Sequence, residues 1–191
     1  MEDTGLPLAA WANFYVIVGS AAGGLTGLTF VVIALVAGAH AVRLAGLRAF
    51  ITPTIVHFCV VLVVSALLNV PGQTRTLAGI CLSLVGLIGL FYCAGTVRYL
   101  NRHRPHYVPV MSDWIWNVVL PTLCFLTLLF AGWLTRAHPA ALLYLAGAVC
   151  LLLLLIGIHN AWDIAVWFTA ERPEAQAEAE KSPPPNAPPG P

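Results

Sequence analysis

The sequence predicts an all-α integral membrane protein: an antiparallel bundle of five transmembrane helices, N-terminus out and C-terminus in, followed by a disordered Pro-rich tail. Three observations carry this prediction. Of 191 residues, 59% are hydrophobic and only 9% charged, where soluble domains carry roughly 25% charged residues. Five apolar runs reach the roughly 20 residues that a helix needs to cross about 30 Å of hydrocarbon. Finally, Arg and Lys segregate to alternate connections.

The runs are 12–37, 51–70, 77–97, 114–134 and 140–168. Peptide N–H and C=O groups find no water inside lipid, so each run must satisfy its own backbone as a helix. The first run ends near Ala39-His40-Ala41, which resembles a signal-peptidase site. The preceding segment carries Glu2 and Asp3 and no basic residue, and the run exceeds the core of a secretory signal, so it reads as a retained span. An outside N-terminus places Arg43, Arg48, Arg98, Arg102, Arg104, Arg172 and Lys181 inside and leaves Arg75 and Arg136 outside. This is the asymmetry of the positive-inside rule and sets a multi-pass protein in an inner or plasma membrane. Trp11, Tyr15, Trp133 and Tyr144 fall at the outer interface, Tyr99, Trp114, Trp116 and Trp167 at the inner one.

Pro71-Gly72-Gln73 turns the second run into the third, and residues 135–139 turn the fourth into the fifth. Connections this short make neighbouring helices antiparallel. The basic connection 98–113, with His103, Pro105, His106 and Pro109, reads as an anchor to anionic lipid headgroups. Residues 1–170 form the transmembrane domain. From Glu171 to Pro191 the composition turns to Glu, Ala and Pro, which predicts a disordered cytoplasmic tail.

Gly19, Gly23 and Gly27 recur every four residues, with Ser20 and Gly24 on an adjoining stripe. Side chains four apart share a helix face, and their absence lets another backbone approach. This glycine-zipper pattern serves packing within the monomer or a homo-oligomeric seam.

His57, His159 and Asp163 are the ionisable residues inside the runs. Such groups are costly in lipid and mark functional sites. Counting about 1.5 Å per residue from the cytoplasmic ends puts His57 at about 9 Å, His159 at about 13 Å, Asp163 at about 8 Å, Thr29 at about 12 Å and Cys93 at about 6 Å. Asn160 stands beside His159, and Asp163 lies one turn on. A carboxylate one turn from an imidazole suits proton relay or metal ligation.

Three readings follow. His57, His159, Asn160, Asp163 and Thr29 form a ligand or relay site, with His57, His159 and Asp163 as metal ligands, or the two histidines as axial ligands of haem. The same cluster serves proton or ion transport, although the outer halves offer only Ser65, Asn69, Ser83 and Thr127 as polar steps. Or the chain is a structural or accessory subunit whose polar groups only join helices. Cys59, Cys81, Cys93, Cys124 and Cys150 lie in apolar stretches without a CxxC pair and read as packing residues. Walker, GxSxG, HExxH and Rossmann motifs do not occur, so no soluble-type enzyme is predicted. A net charge of +1 gives no field for nucleic acid. Pro53 opens the second run and Pro121 interrupts the fourth near Asn117, predicting kinks at the level of the polar cluster.

Overall fold

The computed structural model describes residues 8–39, 44–102, 111–134 and 139–181, and these are all-helical with no strand. Five helices follow in order: α1 (Leu8–Ala39), α2 (Leu44–Leu68), α3 (Arg75–Arg102), α4 and α5 (Pro139–Lys181). α4 comprises Met111–Trp114, a π turn at Ile115–Val119 and Leu120–Leu134. Among the described residues three helices are long and apolar enough to cross a membrane, over Leu8–Ala34, Arg75–Arg98 and Ala141–Asp163. α2 and α4 carry shorter apolar stretches, Thr52–Leu68 and Ile115–Ala131.

The helices outrun the apolar runs in three places. α2 begins at Leu44, not Ile51, so Pro53 lies inside the helix rather than opening it. α3 continues to Arg102. α5 continues to Lys181, through the first half of the segment read as a disordered tail. The cause is common to all three: an apolar run stops where charge begins, but Ala, Glu, Gln, Lys and Arg are strong helix formers. The Pro-rich end 182–191 lies outside the described residues, as do Arg43, His103, Arg104, Pro105, His106, Pro109 and Arg136.

The turn between α2 and α3 places Gly72 at φ 71°, a left-handed conformation that glycine adopts without strain. Thr74 then caps α3, its hydroxyl accepting from the Leu77 N–H at 3.2 Å.

α1 packs on α2, α2 on α5, α5 on α4 and α4 on α3, so α2 and α5 occupy the centre. Glycines set the closest approaches. Gly19 lies against Ser65 and Gly23 against Leu62, which makes α1 and α2 antiparallel. Gly86 and Gly89 meet Phe125 and Leu129, which does the same for α3 and α4. Gly157 of α5 receives the ring of Phe58 from α2. At the opposite end of α5, Gly147 faces Phe14 and Trp11. There the Tyr15 hydroxyl donates to Leu143 O at 2.7 Å, and Trp11 meets Tyr144 edge-on at 4.7 Å. Tyr15 is thus buried as a clasp between α1 and α5 instead of lying at the lipid interface. The zipper divides: Gly19 and Gly23 face α2, whereas a Cβ at Gly24 or Gly27 would meet nothing within 4 Å.

Candidate functional site

Just past Gly157, at the middle of α5, three helices bring polar groups to one level. Phe58 at Gly157 fixes the register of α2 on α5, which sets His57 within about one turn of Asn160. His57 is 1% exposed, and its Nδ1 has no hydrogen-bond partner among the described residues. Asn160 is buried, and its Nδ2 donates to Asn117 Oδ1 of α4 at 3.2 Å.

The π turn makes that contact. Pro121 has no N–H, and its ring crowds the carbonyl four residues earlier. The helix widens just before it, with the Leu120 N–H donating to Ile115 O in an i to i−5 bond. A π turn inserts an extra residue and rotates the side chains around it, a feature often found at functional sites. Here it directs Asn117 onto Asn160 and Trp116 onto His159, whose ring stacks on the indole at 3.8 Å and 25°. The kink expected at Pro121 is therefore resolved as a change of helix type.

His159 Nε2 stands 3.2 Å from Asp163 Oδ2, within ion-pair distance but outside hydrogen-bonding geometry. The two side chains are 31% and 59% exposed. The apolar run continues past Asp163 to Phe168, so the pair is set apart by its exposure and not by its height, while His57 and Asn160 are buried.

The remaining sequence candidates separate. Thr29 donates its hydroxyl proton to Leu25 O of its own helix at 2.8 Å. Cys93 is buried in the apolar core. Among the described residues no three His, Cys, Asp or Glu side chains come together as a metal-binding group, so the set His57, His159 and Asp163 is not assembled. In the opposite half, Ser83 donates to Leu129 O at 2.9 Å and Thr127 to Leu123 O at 2.9 Å, whereas Ser65 Oγ is buried without a partner. Sequence reasoning missed Trp116 as a partner of His159, because its aromatic ring read as an interface anchor. It also missed Gln73, which read as a turn residue.

The Asn117 to Asn160 bond joins α4 to α5, and its strength is measurable. Hydrogen bonds between membrane helices average about 0.6 kcal/mol, because partners are also found in the unfolded state within the bilayer. A double-mutant cycle with Asn117→Ala and Asn160→Ala, read by detergent unfolding, should give a coupling of about 0.6 kcal/mol.

Comparison with protein-family models, curated proteins and solved structures finds no match in any of the three.

Proposed function

We propose that this chain crosses a cell membrane five times, N-terminus out and C-terminus in, and that the layer around His57 is a proton-binding site reached from the cytoplasm. Short polar connections and the distribution of Arg and Lys support the topology. α2 and α4 supply the two further spans, each an apolar stretch continued by helix at one or both ends.

One observation carries the site: a buried imidazole with an unpartnered nitrogen, at the level where α4 and α5 also turn polar groups inward. A buried donor or acceptor without a partner costs about 1 to 3 kcal/mol, so its presence calls for a ligand. An imidazole offers one donor and one acceptor nitrogen, and His159 and Asp163, both partly exposed, supply further polar groups near this level.

Ring N–H exchange tests this directly. In lipid nanodiscs, protein labelled with ¹⁵N-histidine and transferred to D2O should lose the His57 ring N–H signal within minutes, the signal being assigned by its absence in His57→Gln. A signal that persists for many hours would mean a sealed core residue and would end this reading.

The structural reading draws on the Asn117 to Asn160 bond, which joins helices without needing chemistry. It accounts for those two amides but not for His57, which joins nothing through Nδ1. A second copy of the chain is the partner that fits the outward stripe Ser20, Gly24 and Gly27 on α1, all exposed. Crosslinking between copies that disappears in Gly24→Leu while the fold persists supports this seam, and crosslinking unchanged in that variant excludes it.

A further inference from the structure

The polar interior extends beyond the His57 layer. Among the described residues the buried polar side chains are Thr54, His57, Ser65, Gln73 and Asn160, and the first four lie on α2 or on the turn that follows it. Three of these hold an atom without a hydrogen-bond partner: His57 Nδ1, Ser65 Oγ and Gln73 Nε2. Their residues are 1%, 2% and 8% exposed. Buried groups of this kind are ordinarily satisfied by internal water, which needs polar partners and room.

Such groups recur along the most central part of the bundle. Eight residues of helix separate His57 from Ser65, a rise of about 12 Å, and Gln73 lies beyond, in the turn before α3. Asn69 continues the strip, its Nδ2 donating to Ser65 O at 2.8 Å. Beside Ser65 a glycine lets α1 approach closely: a Cβ at Gly19 would stand 2.8 Å from Ser65 Cβ and 3.3 Å from its Oγ. Between His57 and Ser65 the inward face of α2 is apolar, with Phe58, Val61 and Val64 all buried. The strip is therefore polar at both ends and dry at Val61.

We propose that α2 lines a proton path of bound waters through the bundle, running from Gln73 past Ser65 to His57 and closed at Val61. This rests on the five-span reading and on His57 as a proton acceptor. A proton arriving at one end shifts along hydrogen-bonded water; His57 takes it on one ring nitrogen and releases another from the second, and the proton leaves to water near His159 and Asp163. No other bond is made or broken, and the driving force is a pH difference across the membrane.

The test uses the purified full-length chain in liposomes with an entrapped pH dye, the membrane potential clamped by potassium and valinomycin. Wild type should conduct close to the protein-free rate because Val61 closes the path. Val61→Ser should speed proton entry by about tenfold or more. Adding Ser65→Val or His57→Gln to Val61→Ser should restore the slow rate, with helix content by circular dichroism confirming each fold. A Val61→Ser variant no faster than wild type, or one still fast after Ser65→Val, overturns the path. Should Val61→Ser fail to fold, magnetisation transfer from water to Ser65 and Gln73 in wild-type protein decides: transfer is expected, and its absence at both overturns the proposal. Absent flux together with rapid deuterium exchange at His57 removes the path and leaves the proton-binding site standing.

Discussion

Replacing Gly86 with leucine is expected to separate α3 from α4 and to destabilise the fold by about 3 kcal/mol or more. A Cβ at this position would stand 2.6 Å from Phe125 O and 2.9 Å from Leu129 Cα. Both are backbone atoms of α4, so no rotamer change relieves the overlap. The neighbouring Ser83 to Leu129 O bond would be lost with it. The check is detergent unfolding of Gly86→Leu beside Gly95→Ala, whose added Cβ meets nothing within 4 Å. Gly95→Ala should be neutral or stabilising by about 0.5 to 1 kcal/mol through helix propensity. Equal behaviour of the two variants would contradict the α3 and α4 packing described above.

Phe58→Ala should be the most damaging truncation at the joint of α2 with α5. The ring is 1% exposed and fills the hollow over Gly157. In a soluble core the change costs about 3 to 5 kcal/mol, which includes transfer from water. Here the unfolded reference stays in lipid, so the packing loss dominates and about 2 to 3 kcal/mol is expected. The loss should also release His57, whose level on α5 is set by Phe58, and its ring chemical shifts should move in the same variant. Unfolding equal to wild type, with His57 unmoved, would mean that Phe58 does not hold this joint.

Much of the architecture was legible because lipid imposes one rule, a helix for every apolar run. Residues 12–37, 77–97 and 140–168 reappear within the three long apolar helices. The ends were not legible, because an apolar run records the membrane's requirement while a helix records backbone propensity, and α5 obeys the second as far as Lys181. Glycines at intervals of four drew attention to α1. The tighter contacts at Gly86, Gly89 and Gly157 carry no such interval, because each receives one partner side chain or backbone and not a stripe.

The site was legible in part. His57 and Asn160 stood out as polar residues in apolar runs, and both are buried at one level. Depth counting gives height and not direction, and it did not foresee that Thr29 donates to Leu25 O of its own helix. Asn117 reached Asn160 through a π turn, and Pro121 was the signal for it, although proline marks only a disturbance and not its form.

If His57 is kept for what it binds and not for holding helices together, its removal leaves the fold intact. Unfolding of His57→Leu beside wild type in the same detergent tests it most directly. An apolar side chain of similar size removes a buried polar group whose Nδ1 has no partner, and removing such a penalty is neutral or stabilising. No loss of stability is expected in His57→Leu, or a gain of about 1 kcal/mol. A loss of about 2 kcal/mol or more would show that the imidazole joins the helices and would overturn the proposed proton site.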